Sequence, residues 1–405
     1  MSRLGRFERK KSFMSAKNLL LFALLIVSVL TLLIPGTITY QKEQSKRRKS
    51  YSELSSAGWG SEDWGAAIRM SQLLNLYPSI GARPAEVEAE LEVWRRDSHY
   101  SAARRVYMRW IGEDRWRDAV QATIDQDTNI RDAMAAGIIN ARLGGNAETL
   151  QELDNRIRKN QYLLDHDVRI ISEDTDMTGF SFLRAMLQTL FPILFTSVIV
   201  AAAADCVASE RDTGSFKFLL LQPFPRRRIF GTKLAASLLH TLFLTAVPLL
   251  VGFCSAALIN GMGSAAYPIA YSADSYRGLL NTGYETGAVA YIGLSSWLIR
   301  LLPLLLCYLL FLTAFALFVS VAAKSGVTAL TITITTTLAA SVMRPYLTSI
   351  PVFSAIWPFS YADPSAVLSG EMQTTALLGI IILLGFSAVL IFGSFMMFCR
   401  EDVTC

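Results

Sequence analysis

The sequence predicts an all-α, polytopic membrane protein with six transmembrane helices and a helical extracytoplasmic domain between helices 1 and 2. Three observations carry this. Of the 405 residues 52% are hydrophobic, and the mean hydropathy is positive at +0.36. Several apolar runs reach the ~20 residues needed to cross ~30 Å of hydrocarbon. A long polar stretch, 40–180, interrupts them and carries helical rather than alternating patterning. The net charge is a mild +5, with basic residues gathered at the ends of apolar runs. That distribution suits orientation in a membrane better than nucleic-acid binding.

The elements follow in order. Residues 1–17 form a basic tail with Arg3, Arg6, Arg9, Lys10, Lys11 and Lys17. Residues 18–38 are the first transmembrane helix. The run is long for a signal peptide and no A-x-A site follows it, so it reads as uncleaved, with a cytoplasmic N-terminus. Lys42, Lys46, Arg47, Arg48 and Lys49 would then fall just outside. The charge rule weakens where the next loop is long and translocated as a domain. Residues 39–181 are that domain. Over 62–77, Trp64, Ile68, Leu73 and Leu76 recur at roughly helical spacing. Pro84 with acids behind it reads as a helix start. The stretches 112–136 and 147–164 repeat the mixed-charge period, separated by Gly144, Gly145 and Asn146.

Residues 182–405 make the membrane core, with five more transmembrane helices. They run over about 182–204, 234–259, 296–321, 327–343 and 374–397, with Pro192, Pro248 and Pro303 inside the first three of these. Neighbouring helices and hydroxyls can satisfy the carbonyls such prolines free. Six crossings return the C-terminus to the cytoplasm, where Arg400 and the Lys324 turn agree with positive-inside. Two outer loops remain. Residues 260–295 are rich in Gly, Ser and Tyr. Residues 344–372 combine Pro345, Pro351, Pro358 and Pro364 with Tyr346, Phe353, Trp357, Phe359 and Tyr361. Prolines among aromatics point to short broken helices at the outer interface; a plain connection is the competing reading.

The stretch 208–233 is the most ordered polar segment. Glu210, Arg211 and Asp212 come first, then Gly214, then an apolar run from Phe216 with Lys217, Phe218, Leu219, Leu220 and Leu221. Pro223 and Pro225 stop it, and Arg226, Arg227, Arg228, Gly231 and Lys233 close it. A greasy helix of this kind can press its apolar edge into a groove on a partner protein. It can equally lie in the interface with a basic anchor and no partner. The order resembles the cytoplasmic loop of ABC-2 type transporter permeases, in which E-(R/K)-x-x-G, a short amphipathic helix, Pro, Arg and a final G-x-K recur. Glu210, Arg211 and Gly214 take the opening positions; Pro223, Arg226, Gly231 and Lys233 take the closing ones. The departure is at Phe216 and Lys217, near where many relatives carry an acid.

The resemblance implies the permease subunit of an ABC exporter, using ATP hydrolysed by a separate ATPase subunit. It makes 208–233 the ATPase-coupling loop, with Glu210, Arg211, Gly214, Phe216, Phe218, Leu219, Pro223, Arg226, Gly231 and Lys233 as its site residues. It also implies a second permease subunit, identical or related, and re-entrant outer helices at 344–372. The protein would sit in the plasma membrane with both termini cytoplasmic. No cofactor is expected in this chain, since ATP and Mg would be held by the partner. An alternative comes from the size of 40–180: a sensory or force-transmitting membrane protein that translocates nothing.

The remaining chemistry is sparse. No G-x-x-x-x-G-K-[ST] loop occurs, so the chain should not hydrolyse ATP itself. G-x-S-x-G and H-E-x-x-H are absent too, so no enzyme is expected. His99 and His166 have no zinc spacing. The five cysteines form no disulfide framework and read as small buried hydrophobes. His240, inside the third span, is a candidate for the path or interface, with helix–helix hydrogen bonding as the plainer reading. Thr328, Thr331 and Thr335 share one face of the fifth span and are path or interface candidates, against ordinary backbone bonding. Gly379, Gly385 and Gly393 would permit close helix contact. Arg184 and Arg300 read as snorkelling residues at outer span ends.

Overall fold

The computed structural model describes residues 8, 10–11, 13, 15–53, 61–77, 84–109, 115–140, 149–169, 176–215, 224–279, 281, 289–347 and 350–400. Among the described residues six helices are long and apolar enough to cross a membrane: Ala16–Glu43, Gly179–Asp212, Arg226–Asn260, Leu294–Ala322, Gly326–Arg344 and Ala376–Arg400. The chain is an all-α polytopic membrane protein.

The fourth span is the central one. Of its most apolar window 72% is buried, against 17% for the first span and 22% for the sixth. Trp297, Leu301, Leu304, Tyr308 and Leu312 fill the bundle interior from it. The sixth span lies alongside. At Gly379 an ideal Cβ would come 2.6 Å from the Tyr361 ring and 3.0 Å from Leu304, so only glycine admits this contact. Gly393 meets Phe318 similarly at 3.2 Å, whereas Gly385 faces open space.

The second span is not uniform. Gly179–Ala185 and Thr196–Ala203 are α-helical, and Met186–Phe195 between them is a π-helix containing Pro192. Proline removes one backbone donor, and a wider helix accommodates the fault. Hydroxyls take up carbonyls there: Thr196 Oγ1 donates to Phe191 O at 2.9 Å and Ser341 Oγ to Pro192 O at 3.4 Å. The third span starts at Arg226 rather than 234, because Pro225 supplies an extended residue (φ −65°, ψ 142°) directly before helix. Gly231 and Lys233 are therefore helical and not part of a loop.

The stretch 260–295, expected to be an outer loop, contains a strand pair. Strand β1, Pro268–Tyr271, runs antiparallel to β2, Ala290–Gly293, with Pro268 opposite Gly293 and Tyr271 opposite Ala290. Four-residue strands are too short to show an alternating pattern. Within 344–372 the fifth helix runs on to Leu347, followed by Pro351–Ile356, a 3-10 turn Pro358–Ala362 and Pro364–Ser369. Each short helix starts on a proline, where the missing N–H costs nothing. Tyr346 and Phe353 are exposed, but Phe359 and Tyr361 are buried in the bundle rather than at its surface, and the Tyr361 hydroxyl donates to Ala355 O at 2.7 Å.

Between the first two spans lie Ser61–Leu76, Ala85–Arg109, Trp116–Ala135 and Leu150–Asp165. Leu73, Leu91, Trp94, Ile130 and Leu153 form their core. Buried Asp127 accepts two bonds from Arg156, at 2.6 and 2.7 Å. A capping box, Thr149 with Glu152, starts the last helix. That helix docks on the strand pair: Asn155 Oδ1 accepts from Val289 N at 3.4 Å, and Lys159 Nζ lies 5.9 Å from the Tyr267 ring centre. Among the cysteines, Cys254 is exposed and Cys206, Cys307 and Cys399 are half-buried, so the uniformly buried set expected is not found. Cys405 lies outside the described residues.

Candidate functional site

Opposite the insert, the ends of the spans gather around the second span's last turn; we call this the loop end. The short helix Ala208–Asp212 carries Glu210, Arg211 and Asp212. Ser320 Oγ of the fourth span accepts from Val207 N at 3.0 Å and Ala208 N at 3.1 Å, satisfying donors a helix start leaves open. Successive residues turn by about 100° around a helix, so each charge reaches a different neighbour.

Glu210 Oε1 accepts from Lys233 Nζ of the third span at 2.7 Å and from Lys11 Nζ of the tail at 2.5 Å. An Arg211 guanidinium N–H donates to Ala323 O, just past the fourth span, at 2.5 Å. Asp212 Oδ2 accepts from Gly326 N, the first residue of the fifth span, at 2.7 Å. A carboxylate there meets the positive end of that helix. Arg226 donates to Cys399 O in the last turn of the sixth span at 2.7 Å. The opening and closing residues of the motif thus pair with each other, and together they bind spans two to six and the tail. Lys233 is 0% exposed and Glu210 and Glu8 4% each. Glu8 stands 3.4 Å from Lys233 Nζ. Charges buried this fully require partners, and the lysine has two.

Comparison with known families matches residues 6–403 to the one described as ABC-2 family transporter protein. The chain belongs to that family. It is a membrane transport component, and ABC-2 permeases work with an ABC ATPase. No curated protein and no solved structure matches the chain.

In this permease Gly214 takes φ +68° and ends the helix, with its N–H on Arg211 O at 3.0 Å. An added Cβ there would meet nothing within 4 Å, so the glycine serves backbone conformation and not packing. Gly231 is exposed within a helix with open space around it, and nothing in the structure explains it. Phe216, Phe218, Leu219 and Pro223 lie outside the described residues. The motif side chains that are described point inward more than outward. Glu210 and Lys233 are almost fully buried, so their side chains meet one another rather than the protein surface.

A cavity of about 80 Å³ adjoins the charge cluster, lined by Lys11, Asp205, Cys206, Ser237 and His240 among others. His240 is 4% exposed. The Phe13 ring meets its ring edge-on at 4.8 Å. Among the described residues neither of its ring nitrogens has a hydrogen-bond partner, so the helix-bonding reading does not hold here. Lys17 Nζ bonds Asp205 Oδ1 at 2.5 Å and Ala201 O at 2.9 Å. The permease brings His240 to the cluster but not the threonines. Thr328, Thr331 and Thr335 are exposed, turned away from the chain's own core. Thr331 Oγ1 bonds its own backbone at Val327 O, 2.9 Å away. Sequence reasoning missed Glu8, Lys11, Lys17, Asp205 and Ser320 as members of the site. The available signal was Glu8, a lone acid in an otherwise basic tail.

Proposed function

We propose that this chain is the permease subunit of an ABC exporter, moved by ATP hydrolysed with Mg on a separate ATPase subunit. In this reading the loop end and both termini face the cytoplasm, the protein lies in the plasma membrane, and the helical insert is extracytoplasmic. The observation that carries it is the set of bonds from Glu210, Arg211, Asp212, Arg226 and Lys233. A pull on the segment between Asp212 and Arg226 would be shared at once among spans two to six. Phe216, Phe218, Leu219 and Pro223 would meet the ATPase, and the buried pair would keep the segment's two ends together. The exposed threonine face of the fifth span, whose hydropathy of 1.5 is the lowest of the six, supports a second permease subunit packed against it.

The test is purification of the tagged full chain in mild detergent. A stoichiometric P-loop ATPase should accompany it and be lost when 214–225 is scrambled at unchanged expression. Preparations free of ATPase across several detergents would end the exporter reading. A second reading has its own observation: the insert's last helix rests on the strand pair that leads into the fourth span, a route for force from outside. If the full chain exported nothing while Asn155→Ala abolished a signalling output, that reading would displace the first.

A further inference from the structure

At the insert end a groove of about 610 Å³ opens beside the start of the fourth span. Its walls include Tyr271, Tyr276, Arg277, Ile299, Arg300 and Pro303, and among the described residues no acid lines it. The Arg300 guanidinium lies 4.7 Å from the centre of the Tyr271 ring, a cation–π arrangement. The Tyr276 hydroxyl donates to the Arg300 carbonyl and fixes the second wall to the helix. Among the described residues neither Arg277 nor Arg300 makes an ion pair. Snorkelling alone would send Arg300 outward to water; here it is held on a ring, facing a concavity it shares with a second arginine.

Depth and shape narrow the occupant. The helix Leu294–Ala322 has 29 residues, about 43 Å at 1.5 Å per residue, against a hydrocarbon core of ~30 Å. Arg300, less than two turns from its start, therefore sits near the boundary between headgroups and hydrocarbon. Ile299 beside it and Leu302 and Leu306 below it are 67%, 50% and 49% exposed. At this spacing they form one apolar strip along the helix. Positive charge thus stands directly above a bed for a hydrocarbon chain.

We propose that this groove binds an anionic glycerophospholipid from the leaflet on the insert side, its phosphate between Arg277 and Arg300 and one acyl chain along Ile299, Leu302 and Leu306. Arginine matches phosphate through paired donors, and the absence of a lining acid favours a headgroup with net negative charge. The proposal rests on the membrane placement of the six spans and is independent of ATP-driven export.

The test is native mass spectrometry of the full purified chain with equimolar phosphatidylglycerol and phosphatidylcholine of the same acyl chains. The wild type should retain phosphatidylglycerol preferentially. Arg277→Gln and Arg300→Gln should each lower that preference by roughly five-fold, the worth of one basic side chain at an anionic surface. Arg95→Gln, on the exposed insert surface, should leave it unchanged. Glycerol phosphate, which has the headgroup and no chain, should not compete at equal concentration. Equal retention of the two lipids by the wild type would overturn the proposal. So would an unchanged preference in the exposed Arg277→Gln variant, even if Arg300→Gln fails to fold. Competition by glycerol phosphate would instead mark a site for free phosphate and also overturn it.

Discussion

At the scale of single residues the loop end depends on one buried lysine. Lys233 neutralises Glu210 and Glu8 where all three are almost fully buried. Lys233→Met removes the buried cation and leaves Glu8 without it and Glu210 with Lys11 alone, a class of change that costs about 3–5 kcal/mol. The expected result is a large loss of thermal stability in detergent, recovered in part by adding Glu210→Gln. A double variant no better than the single one would show that the pair does not hold this end together. Gly214 offers a milder test. Its φ of +68° makes Gly214→Ala cost about 1 kcal/mol, and Gly214→Asn less, because asparagine tolerates that region. Equal stability of the alanine and asparagine variants would contradict the assignment. The motif's residue types and order were legible in the sequence. Which way the side chains turn was not, because burial of Glu210 and Lys233 depends on a tail and a third span far away in the chain.

At the scale of elements, packing and pairing make separate demands. Gly379→Val would drive methyl groups into the Tyr361 ring, which already lies 2.6 Å from an ideal Cβ. Overpacking of this kind costs typically 1–3 kcal/mol, whereas Gly385→Val, facing open space, should be nearly neutral. A matched pair of melting curves decides it. In the insert, the Arg69 guanidinium hydrogen-bonded to Glu90 holds that carboxyl below the usual carboxylate range. A depressed native value means that the stabilisation is present above the unfolded value, about 4.3. It is lost as pH falls below that value and through the depressed native one. Wild type should therefore melt above Glu90→Gln at pH 7, and the gap should narrow below about pH 4. A gap unchanged with pH would mean the pair contributes nothing. The number of spans was readable because each needs ~20 apolar residues to cross the hydrocarbon, but their ends were not, as the third starts at Arg226 rather than 234; proline marked the short helices of 351–369. The strand pair was not readable, since four-residue strands next to a masking run of Gly and Tyr carry no period.

At the scale of the whole molecule, the tail closes over the loop end. Lys11 and Glu8 enter the Glu210–Lys233 cluster, Lys17 ties to Asp205, and Phe13 covers His240. Replacing Lys11 and Lys17 together by Gln should loosen the tail and make Cys206, at the cavity wall, react several-fold faster with a water-soluble maleimide. Lys10 is exposed on the same tail, so Lys10→Gln should leave the rate unchanged. A rate unaffected by replacing Lys11 and Lys17 would mean that the tail is not a cover. Positive-inside reasoning made the tail legible as a cytoplasmic terminus; its docking depends on three-dimensional neighbours no local pattern encodes.

The π-helical stretch of the second span has a consequence of its own. Met186–Phe195 stores spare chain, since each wide turn uses more residues for the same advance than an α turn does. Were one wide turn to tighten, everything beyond it would swivel by roughly 100° per residue released. Glu210, Arg211 and Asp212 are bonded to four other elements and cannot swivel alone. The span is therefore a screw with its head clamped, and any change of thread around Pro192 must appear as torque on the rest of the bundle.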